Sequence, residues 1–403
     1  MNLNFMAFAV PLFLFFMGIE YLVARKRKKN VHRFNESIAN LNVGIAERLT
    51  DLLTTGAFFF VYAWLNKHFA LFDIRSTALT WLLLFLATDF VWYWYHRFAH
   101  EINLFWSVHV VHHQSEDFNY TTSTRITIFQ AVLRGAFWSV LPIIGFPAPM
   151  IAVLLLIHGA YPFFTHTQMI GKLGWLEYFM VTPSHHRVHH SADPQYLDKN
   201  YGDMLIIWDK LFGTFKKEEE TPTYGLTKPL NSYSFLWQHF HFPLELIVSV
   251  RRTKGWKNKL GVLFGRPDDI DPRIRTVLER KFSYRNEHQA QNEALRWFIR
   301  LQTAVTLAIL FSVILFAHYL TQRQLILFAL FILLSLINTG AMMEQKSWVF
   351  SIDYVRLGIT GLIIHSFFPM LWVTSVFCIG LFLVLVFYKT IHEQYARYFY
   401  NYS

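Results

Sequence analysis

Eight histidines stand at spacings that suit metal binding. His96 and His100 are four residues apart, and His109, His112 and His113 follow as His-x2-His-His. His186, His189 and His190 repeat that second pattern inside SHHRVHH at 184–190. In a helix, residues i, i+3 and i+4 share a face, so each group presents its imidazoles together. Three such faces can surround two metal ions, each taking about four nitrogens. Neutral imidazole suits iron, zinc, copper or nickel. Oxygen chemistry needs a redox metal with an open coordination position, which favours two iron ions. His166, in FFTHTQ, and His185, beside the third group, are further candidate ligands. His158, deeper in the same apolar run as His166, reads as a core or pocket residue. His32, His68, His239, His241, His288, His318, His365 and His392 stand singly and read as interfacial or hydrogen-bonded side chains.

Three carboxylates are placed to support these groups. Asp89 lies seven residues before His96, about two turns along the same helical face. An unpaired carboxylate in an apolar span is costly, and Asp89 is positioned to take the proton on the second nitrogen of a ligating histidine. Glu101 adjoins His100 and is a candidate for supporting the site or binding a cofactor. Asp209, in YGDMLIIWDKLFGTF at 201–215, is a third supporting candidate.

The elements that must position these groups are apolar and long. Residues 2–24 form an apolar run followed by RKRKKNVHR. Charges after rather than before the run mark a membrane helix with its far end inside, not a signal peptide. About 20 apolar residues cross a bilayer, and further spans fall near 47–66 and 77–95. Residues 127–162 predict a helical hairpin turning at Pro142, Gly145, Pro147 and Pro149. Residues 168–183 read as interfacial. Residues 191–297 are polar and predict a cytoplasmic region with surface helices, since 235–248 is amphipathic. Apolar runs return at 299–320, 324–342, 355–368 and 370–388. The prediction is an all-α integral membrane protein, a transmembrane bundle of about nine spans capped by a cytosolic, histidine-rich di-iron domain. Its expected parts are N-terminal helices at 1–76, a catalytic domain at 77–220, a cytosolic linker with surface helices at 221–298 and C-terminal helices at 299–403. Alternation puts all three histidine groups and the basic stretches on the cytoplasmic side, and the bacterial inner membrane is favoured over the endoplasmic reticulum.

Composition narrows the functional classes. Of 403 residues, 54% are hydrophobic and only 16% charged, against roughly 25% charged in soluble domains. The net charge of +10 comes from Lys and Arg between apolar runs, as in loops facing anionic headgroups, so nucleic acid is not an expected partner. The single cysteine, Cys378, excludes an intrachain disulfide and a thiolate metal site. A metal transporter would carry its ligands along a path near the midplane, whereas these groups sit at or beyond helix ends.

The order HRFAH, HVVHH, HHRVHH, with NYGDMLIIWDKLFGTF behind it, resembles the fatty acid hydroxylase/sterol desaturase superfamily over about 80–215. Within it, HRFAHE at 96–101, HHQSEDFN at 112–119, the HT pair at 166–167 and PSHHRVHH at 183–190 resemble the alkylglycerol monooxygenase family. That resemblance implies hydroxylation of the carbon beside an ether oxygen, with dioxygen and tetrahydrobiopterin, releasing a fatty aldehyde. It implies iron ligation by His96, His100, His109, His112, His113, His186, His189 and His190, joined by His166 and His185, and it gives Glu101 the place of an acidic residue beside the first box. Two departures stand out. Fatty acyl hydroxylases often supply two histidines separated by three residues before the last box, and here Pro162 occupies the first of those positions. Gln168 stands where the alkylglycerol enzymes tend to have Glu. The alternative is a fatty acyl, sterol or carotenoid hydroxylase or desaturase fed electrons by a partner protein. Trp138, Tyr161, Phe163 and Phe164 are candidates to line lateral access for a lipid chain.

Overall fold

A computed structural model describes residues 3–282 and 291–400, so His288 lies outside the described residues. Among them every regular element is a helix. The N-terminal part contains α1 (Ala9–Lys26), α2 (Phe34–Phe69), α3 (Ala78–Glu101), α4 (Asn103–His109), α5 (Gln130–Trp138), α6 (Val140–Ile144) and α7 (Ala148–Thr165). The middle contains α8 (Pro183–His189), α9 (Ile207–Phe212), α10 (Phe235–Arg252), α11 (Trp256–Phe264) and α12 (Arg273–Lys281). The C-terminal part contains α13 (Glu293–Leu315), α14 (Gln322–Met343), α15 (Val349–Phe367), α16 (Leu371–Val386) and α17 (Tyr388–Tyr400).

The helix that carries the first histidines starts from a reciprocal cap. The Thr80 amide donates to Thr77 Oγ1, and the Thr77 amide donates to Thr80 Oγ1 at 2.9 Å. From there 24 apolar-rich residues run uninterrupted, about 36 Å at 1.5 Å per residue, so His96 and His100 emerge at the far end. Leu84 and Tyr95 on its inner face bury against Trp138, Leu141, Ile151 and Leu154 from α5, α6 and α7. Pro147 and Pro149 fix the start of α7, and Gly145 turns the chain there at φ +127°, with the Phe72 carbonyl too close for any Cβ.

Five helical segments among the described residues are long and apolar enough to cross a bilayer: Phe5–Lys26, Ala78–Glu101, Ala148–Thr165, Glu293–Leu315 and Gln322–Met343. A sixth arises if α16 and α17, bent by 76°, form one broken span. The sequence expectation of about nine is higher, for identifiable reasons. The predicted 47–66 span is part of the 36-residue α2, whose first half carries Glu47, Arg48 and Asp51. The first arm of the predicted hairpin is split into the short α5 and α6. The 355–368 run belongs to α15, which carries Asp353 and Arg356. The apolar helices make this a membrane protein.

Candidate metal centre

Helix ends deliver the histidines. His96 and His100 come from the last two turns of α3, and His109 is the last residue of α4. His112 and His113 lie in a short 3-10 turn, His112–Gln114. His166 is the C-cap of α7, and α8 ends with His186, His189 and its C-cap His190. They gather into two groups whose donor atoms all lie within 4.8 Å of one another. The first holds His96, His100, His109, His113 and His189; the second holds His112, His166, His186 and His190. The sequence expectation is about four imidazoles for each of two ions; here the groups hold five and four, and each of the two later sequence clusters is divided between them. Residues four apart are offset by about 40° around a helix and those three apart by about 60° the other way. His109 and His113 therefore turn to one group and His112 to the other; His186 and His190 part from His189 in the same way. The groups abut, with the His113 and His190 rings stacked at 4.4 Å.

Hydrogen bonds fix which nitrogen is free. His96 Nδ1 donates to the Tyr201 carbonyl at 2.8 Å and His189 Nδ1 to the Lys199 carbonyl at 3.0 Å. His112 Nδ1 donates to the Arg125 carbonyl at 3.2 Å and His166 Nδ1 to the Pro162 carbonyl at 2.6 Å. A carbonyl only accepts, so each Nδ1 holds the proton and each Nε2 is a bare lone pair. Yet the His112 and His166 Nε2 atoms stand 3.2 Å apart, and those of His166 and His186 3.0 Å apart. In the first group the His109 Nε2 lies 3.1 Å from that of His96 and 3.2 Å from that of His113. Two nitrogens each about 2.1 Å from a shared ion are about 3.0–3.4 Å apart at right-angled to tetrahedral geometry. The residues therefore fit a metal ion in each group. The buried Nε2 atoms of His100, His189 and His190 also have no hydrogen-bond partner.

Electrostatics point the same way. Burial pushes His109, His112, His113, His186, His189 and His190 well below the usual imidazole range, and neighbouring rings push them further. His166 is lowered to about 4 by burial. The rings are thus held neutral, the form that ligates metal.

The loop between α8 and α9 braces the first group. Asp198 and Asn200 adopt φ +58°, in the left-handed region, and the carbonyls of Lys199 and Tyr201 meet His189 and His96. Asp209 accepts from the Tyr201 amide at 2.7 Å, the Gly202 amide at 2.8 Å and Thr214 Oγ1 at 2.7 Å. A Cβ at Gly202 would meet the Leu205 carbonyl at 2.6 Å and Asp209 Oδ2 at 2.9 Å. Asp209 thus supports His96 through the backbone. Asp89 does not touch a ligand histidine. It accepts from the Met204 and Leu205 amides at 3.0 and 3.2 Å and from the Trp208 indole at 2.9 Å. Two helical turns separate it from His96, and the loop fills the interval.

The other sequence candidates distribute as follows. Glu101 pairs with Arg97 at 3.0 Å, one turn back on α3. His185 joins neither group, because it caps α8: its Nδ1 accepts from the Thr182 amide, its carbonyl accepts from Asn200, and its ring packs on Phe215. Burial lowers it to about 4. Trp138 is fully buried against Trp92, Tyr161 donates to the Val181 carbonyl, Phe163 stacks between Phe13 and Tyr120, and Phe164 is exposed. His239 and His241 are fully buried in α10 and bond to carbonyls one turn back.

Three supporting residues escape the sequence reading. Asp203 bonds His158 at 2.6 Å. Arg125, fully buried, donates to the Val111 carbonyl, Asn40 Oδ1 and Gln114 Oε1, fixing the segment whose carbonyl holds His112. Glu20 accepts from the Tyr120 amide at 2.7 Å and from Thr167 Oγ1, next to His166. Of these only Glu20 left a signal, as the single charge within residues 2–24.

Residues 81–214, which contain both groups, match the fatty acid hydroxylase family. Apolar spans ending in two histidine groups, within that family, define an oxidoreductase of the membrane-bound lipid hydroxylase class. The chain is 33% identical to human alkylglycerol monooxygenase over 348 residues, covering 84% of this chain and 77% of that protein. It is 32% identical to the Danio rerio alkylglycerol monooxygenase over 377 residues, covering 89% and 82%. The chain belongs to the alkylglycerol monooxygenase family. Its central part is also similar to the ornithine lipid hydroxylase OlsE of Rhizobium tropici, at 30% identity over 128 residues, 32% of this chain and 39% of that protein. No solved structure matches the chain.

Proposed function

We propose that this protein is a two-iron monooxygenase that cleaves the ether bond of O-alkylglycerols. The observation that carries the reading is the pair of all-histidine groups, with bare His112 and His166 lone pairs 3.2 Å apart in the second and ring nitrogens 3.1 Å apart in the first, in a chain of the alkylglycerol monooxygenase family. Iron held there would supply redox activation of dioxygen. One oxygen atom enters the C–H bond beside the ether oxygen, and the other leaves as water with two electrons and two protons from a reductant. The resulting hemiacetal breaks its C–O bond to release a fatty aldehyde and glycerol. Tetrahydrobiopterin is the proposed reductant.

The chain's own part is ligation and orientation. His96, His100, His109, His113 and His189 would hold one ion and His112, His166, His186 and His190 the other. The carbonyls of Tyr201, Lys199, Arg125 and Pro162 keep the ring tautomers. Glu101, half-buried at the end of α3 beside His100, is the proposed contact for the reduced pterin. The basic flank Arg25–Lys29 supports a cytoplasmic position for the groups. The catalytic unit is proposed to be 77–220.

Similarity to an ornithine lipid hydroxylase over the core supports a second reading, simple lipid hydroxylation driven by a redox protein. Supplying membranes that contain the protein with an alkylglycerol and tetrahydrobiopterin separates the two. Aldehyde release with the pterin alone is expected. Turnover only with a reductase and a ferredoxin or cytochrome would replace the pterin reading with the second.

A further inference from the structure

Outside the two histidine groups, one buried polar set joins a membrane span to the loop that orients the first group. His158 on α7, Asp89 on α3 and Asp203 in the loop are wholly buried. His158 Nδ1 lies 2.6 Å from Asp203 Oδ2 and 3.7 Å from Asp89 Oδ1. Donors drawn from three elements invite comparison with a third ion site, but the distances argue for a hydrogen bond. At 2.6 Å the pair is closer than the about 3.0 Å expected between two atoms ligating one ion at right angles. Asp89 already accepts from two amides and an indole. His158 Nε2 has no acceptor and its ring lies by Phe85, at 5.5 Å between centroids. The proton therefore sits on Nδ1 and is given to Asp203.

Asp203 lies in the segment whose carbonyls set the first group. Two residues before it, the Tyr201 carbonyl takes the His96 proton; four before it, the Lys199 carbonyl takes that of His189. The same helix α7 ends in His166, of the second group. One membrane helix thus reaches both groups, directly at its end and through His158 eight residues earlier. We propose that His158 and Asp203 are positioning residues for the first group: their hydrogen bond clamps the 199–205 loop onto α7, so that its carbonyls hold His96 and His189 with Nε2 toward the ion. This rests on the two-ion reading above.

The test is metal retention by the full-length protein in lipid nanodiscs, loaded with Fe(II) and challenged with graded chelator, with elemental analysis for iron. Wild type is expected to keep two ions per chain. His158→Phe, which fills the space without a donor, is expected to lose one ion at a chelator concentration at least about tenfold lower and keep the other, the range seen when a residue orienting a ligand is removed. His158→Asn, which restores a donor, should recover retention. Asp203→Asn changes no volume and accepts more weakly than a carboxylate, so it should weaken the same single ion. Unchanged retention in His158→Phe and Asp203→Asn, equal weakening of both ions, or His158→Asn as weak as His158→Phe would overturn the proposal while leaving the two-ion reading intact. Three ions in wild type with loss of the third in His158→Phe would replace the clamp with a metal site. Wild type holding no ion would instead remove the two-ion reading itself.

Discussion

His112 and His166 point bare Nε2 atoms at each other across 3.2 Å while each gives its Nδ1 proton to a backbone carbonyl. A neutral imidazole has one proton, so this contact is not a hydrogen bond; a cation between the two lone pairs resolves it. Protonating one ring would also resolve it, but burial holds both rings neutral. His166→Ala is therefore expected to lose the second group's ion and keep the first's. Elemental analysis should fall from two irons per chain toward one, with the protein still inserted and folded. Two irons retained would place the second ion elsewhere.

Acid should destabilise the metal-free protein over a defined window. His166, His185 and His239 are each lowered by burial from 6.5 to about 4. Between those values the unfolded chain binds protons that the folded chain refuses, so stability falls as pH falls. Above pH 6.5 neither state binds them and their contribution is constant. Thermal unfolding of chelator-treated protein should show a flat Tm above about pH 7 and a decline below 6.5. A Tm that rises on acidification would contradict this.

Asp209 carries three donors, two from the loop and one from Thr214 just after α9. Asp209→Ala leaves the Tyr201 and Gly202 amides unpaired in a buried place, at about 1–3 kcal/mol each. Gly202→Ala drives a Cβ into the Leu205 carbonyl. Both variants should lower Tm and weaken iron retention, although neither residue belongs to either histidine group. A Tm unchanged in both would show that the loop is not braced as described.

Glu20 ties the first span to the segments around the second group, through the Tyr120 amide and the Thr167 hydroxyl. Glu20→Leu should cost about 1–3 kcal/mol for each donor left without an acceptor. Glu20→Gln, which keeps one oxygen, should cost less. Thermal unfolding in nanodiscs orders the three proteins, and an equal Tm for Leu and wild type would contradict the tie.

The pattern of the histidines was legible because metal ligation constrains residue type and spacing together. His96, His100, His109, His112, His113, His186, His189 and His190 all face one of the two groups, and His166 completes the second. The division within each later cluster was legible only as an angular offset between residues three and four apart, since which group each ring joins depends on how α3, α4, α7 and α8 meet. Long-range partners were least legible. Asp89 looked like a partner of His96 by helical phase, but the loop at 201–205 brings amides to it instead. Asp203 and Arg125 carry no local signal, because their partners His158 and Asn40 lie 45 and 85 residues away. The expected span count exceeds the number of long apolar helices where helices are apolar yet carry charges, as in α2 and α15, or are broken, as in α5 and α6.

On the proposed function, the two histidine groups hold the iron that oxidises an ether lipid. The most direct measurement pairs lipidomics with elemental analysis on cells expressing wild type or His112→Ala. The expected result is iron in the wild-type protein with depletion of O-alkylglycerols and appearance of fatty aldehyde, and loss of both the lipid change and one iron in His112→Ala. Identical alkylglycerol and aldehyde profiles in the two, or full lipid turnover by a His112→Ala protein lacking iron, would contradict it.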